Sequence, residues 1–281
     1  MGRIRYILDK VFLLLVTLGT AMPVLVTGLI AGSSLYWSVK ALLSEGLGLF
    51  IKPPGVPGGS EIGGLGPVIL NTIFITGLAI SFAAPLGVVV GVYLSENRNG
   101  KLSKIVSQAV QMISEMPTIV IGLFVFSVVC LPLGGYSMLA GAVSLAIAAL
   151  PYIVTQVRET LMSIPSTYRE AAYSLGLPRW KTVWFLLVPM SKSGVASAIM
   201  LGYMKALGET APVLLTAGFA LYGFYGLLGP SNTVSLLIYK FAQTPYDNYR
   251  ILAWTASAIL LLGSLSLSYL VRRVVGEVRY A

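Results

Sequence analysis

Apolar residues in this chain neither alternate nor recur on one helical face; they come in long uncharged blocks. No charge falls between Val11 and Leu35, between Ile62 and Ser95, or between Met116 and Val157. Roughly 20 apolar residues carry a helix across a hydrocarbon core of about 30 Å, so blocks of this length predict membrane spans. The third block is too long for one helix, and Pro132-Leu133-Gly134-Gly135-Tyr136 interrupts it with residues suited to a tight turn. Apolar sequence resumes near Leu186, runs to about Ala217, and returns from Ile251 to Val271. The pattern predicts an all-α integral membrane protein with six spans in a single domain, residues 1–281. The spans lie at about 11–35, 68–94, 104–131, 136–157, 186–217 and 251–271, with a loop at 158–185 between the fourth and fifth.

Composition narrows the chemistry. The chain is 56% hydrophobic and only 10% charged, where a soluble domain carries about a quarter charged residues. It has no histidine, and Cys130 is its one cysteine. Imidazole-based triads, Cys/His zinc sites and disulfides are therefore excluded, and no cofactor is expected. No G-x-x-x-x-G-K-[ST] occurs, so ATP is not bound through a P-loop.

The net charge of +9 does not call for nucleic acid, because its placement has a simpler cause. Arg3, Arg5 and Lys10 precede the first span, whose apolar run is too long for a secretory signal and is read as retained. With the N-terminus inside, Arg98, Lys101, Lys104, Arg158, Arg169, Arg179, Lys181, Lys192, Arg272, Arg273 and Arg279 all fall on the cytoplasmic side. Only Lys40, Lys52, Lys240 and Arg250 fall outside, as the positive-inside rule requires. Both termini are expected in the cytoplasm. The outer segment 52–67, KPPGVPGGSEIGGLGP, is rich in glycine and proline and is expected to be irregular.

One cytoplasmic stretch, EAAYSLGLPRWKTVWFLLVP at 170–189, gathers charge, tryptophan and helix punctuation. Thr167 and Glu170 have the spacing of a capping box and predict the start of a short helix. Gly176 is placed to end it and Pro178 to open the next helix. Trp180 and Trp184, four apart, share a face that suits the headgroup layer. Read from the residues alone, this is either a helix resting on lipid or a contact for another chain. The spacing Glu170-Ala171-Ala172, Gly176, then Leu186-Leu187-Val188-Pro189 resembles the EAA loop of ABC importer permeases, with Leu186 and Val188 in place of the usual isoleucine and leucine. The resemblance implies the type I ABC importer permease fold and a loop of coupling helices that dock into a separate ATP-hydrolysing subunit. Glu170, Ala171, Ala172, Gly176 and Pro189 would take the motif's places there. Two alanines keep such a helix thin, and glycine permits its turn; Glu170 also fits a purely capping role.

Within the fifth span, MKALGETAPVLLTAG holds Lys205 and Glu209, four apart and able to pair. A charge at the membrane centre costs about 2.5–3.5 kcal/mol on insertion scales, so such residues usually face a pathway; a purely structural ion pair is the other reading. Pro212 is expected to free backbone carbonyls in that helix and leave Thr210 facing a cavity. The run GETAPVLLTAG resembles the A-type permease subunit of phosphate ABC importers, as do NTIFITGLAISFAAPLGVVVGVYLSE at 71–96 and EMPTIVIGLFVFSVV at 115–129. The resemblance implies a pathway for phosphate, and in such a path Lys205 is expected to lower the barrier for the anion, Glu209 to orient Lys205 and keep the empty path near neutral, and Thr210 to offer a hydroxyl. It also implies four kinds of company: a C-type sister permease, two copies of an ATP-binding subunit, an extracellular phosphate-binding protein, and the lipid of a prokaryotic inner membrane. That family commonly has arginine where this chain has Lys205, and lysine offers a point charge in place of a bidentate fork. Glu115 is read as interfacial. A permease for molybdate, tungstate or sulfate, an ion-coupled secondary transporter and a membrane enzyme are the alternatives; the last two would need broken-helix pairs or catalytic groups that the sequence does not display.

Overall fold

The structure, a computed structural model, describes residues 2–275, so Arg279 lies outside the described residues. The described residues form helices and no strands: α1 Gly2–Glu45, α2 Gly66–Glu96, α3 Lys101–Glu115, α4 Thr118–Leu133, α5 Met138–Met162, α6 Ser166–Ser174, α7 Arg179–Met190, α8 Lys192–Gly208, α9 Ala211–Thr216, α10 Val234–Ala242 and α11 Asp247–Val275. Four of them are long and apolar enough to cross a membrane, and two bent pairs raise the number to as many as six.

The core is built around α5, which packs against α2, α8 and α9. Its buried face is mostly small, with Ala140, Gly141, Ala142, Ser144, Ala146, Ala148 and Ala149 among others. Lipid tails are as apolar as the helices, so close backbone approach takes the place of the hydrophobic drive. Ile153 shows how tight the approach is. A Cβ added to Gly87 of α2 would lie 2.7 Å from Ile153 Cγ2, and one added to Gly202 of α8 would lie 2.4 Å from Ile153 Cγ1. One isoleucine is thus clasped by two glycines from two helices.

A second cluster lies where α1 ends and α11 begins, and includes Ala41, Leu49, Leu65, Phe241, Tyr249 and Leu252, with the Phe241 and Tyr249 rings stacked at 3.9 Å. The glycine- and proline-rich segment after α1 is irregular but fixed. The Glu45 carboxylate accepts from the N–H of Ile62 at 3.1 Å, from that of Gly63 at 3.0 Å, and from Lys52 Nζ at 3.1 Å. Further toward its start, α1 lies open, with the apolar window of the span wholly exposed, as a surface for lipid or another chain must be.

Two spans differ from the sequence expectation. The third, expected as one helix over 104–131, is divided at Met116-Pro117 into α3 and α4, which meet at 102°. Met116 takes φ −69° and ψ 133°, the extended conformation that a following proline imposes. α3 is amphipathic, with Lys101, Lys104, Gln108 and Gln111 along it, and Glu115 closes it, exposed and bonded to Gln111 at 2.8 Å. α4 then continues through a π-helical turn at Phe126–Cys130. The fifth, expected over 186–217, is a straight helix only from Lys192 to Gly208; α7 meets it at 76°, and α9 follows after a break.

Candidate functional site

The elbow at 163–190 forms at one end of the bundle. α6 begins at Ser166 behind Pro165, so Thr167 lies inside the helix and the expected capping box does not form. Proline has a fixed φ suited to the entry and takes the cap position, so Thr167 is the second helical residue and its hydroxyl is not placed to accept from the Glu170 N–H. Gly176 adopts φ +76°, which a side chain would oppose. Its N–H reaches the Tyr173 carbonyl at 2.9 Å, and the Leu177 N–H reaches that of Ala172 at 3.1 Å, closing the helix as a Schellman turn does. Pro178 stands one place earlier than expected, as the cap before α7 rather than its first residue. Glu170 and Ala171 are exposed on α6, whereas Ala172 is buried beneath it. Pro189 lies in the last turn of α7, a short helical segment that a π-helical turn at Thr182–Leu187 joins to Arg179–Lys181. Trp180 and Trp184 are both exposed.

The second candidate group sits deep in the bundle, where α8 stops. Lys205 Nζ pairs with the Glu209 carboxylate and lies 5.2 Å from the centre of the Tyr152 ring on α5. Glu209 is 8% exposed, and Lys205 is the cation placed beside it. Its backbone is extended, at φ −74° and ψ 133°, and helical structure resumes only at Ala211. Here the expectation for Pro212 is corrected. The helix breaks before the proline, and Pro212 occupies the first turn of α9, where an N–H would have no partner. Gly122 of α4 accepts that turn at close range, since a Cβ there would come within 2.8 Å of Pro212 Cα. Thr210 is half-buried beside Glu209, and its hydroxyl caps no helical N–H.

The sequence reading missed what stands against this break. Residues after α9, expected as an outer loop, fold back into the bundle and end in α10. The Ser231 N–H donates to the Ala217 carbonyl at 2.8 Å, the Val234 N–H donates to Thr72 Oγ1 at 2.9 Å, and Ser235 Oγ donates to the Glu209 carbonyl at 2.8 Å. Thr233 caps α10 by accepting from the Leu236 N–H. At nine residues α10 is too short to span a membrane. Its signal was a Ser-Asn-Thr cap before the apolar run Val234 to Ile238.

A family model described as binding-protein-dependent transport system inner membrane component matches residues 83–280. The chain belongs to this family. The permease is 33% identical over 263 residues to the probable phosphate transport system permease protein PstA of Methanocaldococcus jannaschii, covering 92% of this chain and 90% of that one. To PstA of Pasteurella multocida it is 31% identical, covering 85% and 86%. Among solved structures, the permease fold matches an inward-facing form of the MetNI methionine ABC transporter with a TM-score of 0.64, at 21% identity over 74% of this chain and 93% of that one. A bacterial alginate ABC transporter in complex with a pentasaccharide-bound periplasmic protein matches at 0.65, with 16% identity, over 92% and 95%. The architecture is therefore that of a type I ABC importer permease. Among the described residues, no group of three or more His, Cys, Asp or Glu side chains is placed to hold a metal ion.

Proposed function

We propose that this permease forms half of the path of an ATP-driven importer for inorganic phosphate, with Lys205, Glu209 and Thr210 lining the path and the 163–190 elbow receiving the ATPase. The observation that carries the reading is the Lys205–Glu209 pair at a helix break, in a chain similar over nearly its whole length to phosphate permeases. Phosphate sheds its hydration only where cationic and hydrogen-bonding groups replace it. Lysine supplies that charge without a bidentate grip, and Glu209 keeps the empty path near neutrality.

Likeness to the family supports the remaining parts of this reading. A second permease, of C type, completes the path, two ATP-binding subunits bind the elbows, and an extracellular binding protein delivers phosphate. ATP hydrolysis resides on the partner chains, and both termini face the cytoplasm of a prokaryotic inner-membrane cell. Glu170, Ala171, Ala172, Gly176 and Pro189 shape the docking elbow. In proteoliposomes containing all partners, labelled phosphate enters only with ATP, and excess sulfate, molybdate or tungstate does not compete. Competition by one of those anions at equal concentration would move the assignment to that oxyanion; uptake without ATP would exclude the importer class.

A further inference from the structure

The elbow helix α6 stands clear of the bundle, with Ala172 its one buried residue. Arg169 reaches from α6 to the bundle through its guanidinium. Its Nε and Nη2 donate to Glu96 Oε1 at the end of α2, at 3.1 and 2.8 Å. Nη2 also donates to the Leu161 carbonyl at 3.0 Å and Nη1 to the Ile164 carbonyl at 3.1 Å. The Leu161 carbonyl lies in the last turn of α5, where a helix has unpaired acceptors and a partial negative charge, and that of Ile164 just beyond it. One guanidinium thereby joins three elements, and Glu96 stands 73 positions from Arg169 in the chain.

Little else links α6 to α2. Beside the pair the two helices are separated by a cavity of about 1030 Å³, lined by Glu96, Arg98, Arg169, Tyr173, Arg179 and Trp180 among others. α2 in turn packs along α5 and against α8, the helix that carries Lys205. Pro165 and Gly176 flank α6 as its entry and its exit turn, and the pair is a side-chain link from the helix between them to α2.

We propose that Arg169 and Glu96 form a joint, closed throughout the transport cycle, through which movement of the elbow reaches α2. Arg169 is a positioning residue in this scheme, and the proposal rests on reading α6 as the ATPase contact. A lysine at 169 carries the same charge but cannot reach Glu96 and two carbonyls at once. Glutamine at 96 keeps the shape and removes the charge.

The test uses the full complex in proteoliposomes, with spin labels on N99C and S174C in a C130A background. The wild-type distance between labels is expected to be the same without nucleotide and with trapped ATP, and to broaden in R169K and E96Q. In both variants ATP hydrolysis is expected within about twofold of wild type while phosphate carried per ATP falls about tenfold, a coupling loss of ordinary size. A wild-type label distance that changes with ATP overturns the joint, as does a wild-type ratio of phosphate to ATP in both variants. Parallel loss of hydrolysis and uptake in both variants overturns it too, because that outcome assigns the pair to docking. The label distance does not depend on the solute, so an error over phosphate leaves it readable.

Discussion

Two cation–carboxylate pairs occupy this chain's two most informative places, and they are built differently. Arg169 and Glu96 are both mostly covered, at 15% and 18% side-chain exposure, and the guanidinium makes four hydrogen bonds to three residues. Lys205 and Glu209 are one helical turn apart; the lysine side chain is 29% exposed and has one carboxylate and one ring face for company. The first pair joins separate elements, and two backbone carbonyls hold its guanidinium in place besides. The second lies within a few residues of chain, and beyond Glu209 the lysine meets the ring of Tyr152. A fixed joint wants many acceptors around a planar donor, and a transient anion site wants a point charge with a replaceable partner.

The contrast is broken most sharply by removing the loose cation. K205A is expected to lower phosphate uptake on the order of a hundredfold while ATP hydrolysis continues, because the anion then crosses without a compensating charge; uptake and hydrolysis measured on the same vesicles decide it. K205R sharpens the comparison by giving the path the grip of the joint: uptake is expected to fall about tenfold, with a lower half-saturating phosphate concentration. Gly202→Val drives a side chain into Ile153 behind the pair and is expected to cost about 1–3 kcal/mol, read as a lower thermal unfolding midpoint in detergent. Gly176→Ala strains the φ +76° turn of the elbow by about 1 kcal/mol, with a smaller drop in midpoint and a measurable loss of ATPase binding. T210V is expected to do least, lowering uptake about threefold, the effect of losing one hydrogen-bonding hydroxyl.

Much of the site was legible because its signals are local. Lys205 and Glu209 are four apart, and Gly176 ends a short helix within ten residues of Glu170. The pairing of Arg169 was not legible. Nothing in the spacing selects Glu96 from the other carboxylates, and the joint exists only because α2 and α5 end side by side. The return of 217–242 into the bundle escaped for a related reason: its segments are short, and what fixes them is remote in the chain, with Thr72 Oγ1 accepting from the Val234 N–H and the Glu209 carbonyl accepting from Ser235 Oγ. Thr167 and Pro178 were misplaced by a residue or so, since proline and threonine both signal a helix start and the sequence does not rank them.

By itself the sequence determined the medium, the helical class and the two charged places. Those follow from hydropathy over some twenty residues and from spacings within one turn, which no distant contact can change. The tertiary structure decided where spans bend, which carboxylate meets Arg169, and what stands opposite the break at Glu209. These depend on backbones meeting at glycines such as Gly87, Gly122 and Gly202, and a glycine carries no mark of the partner it admits.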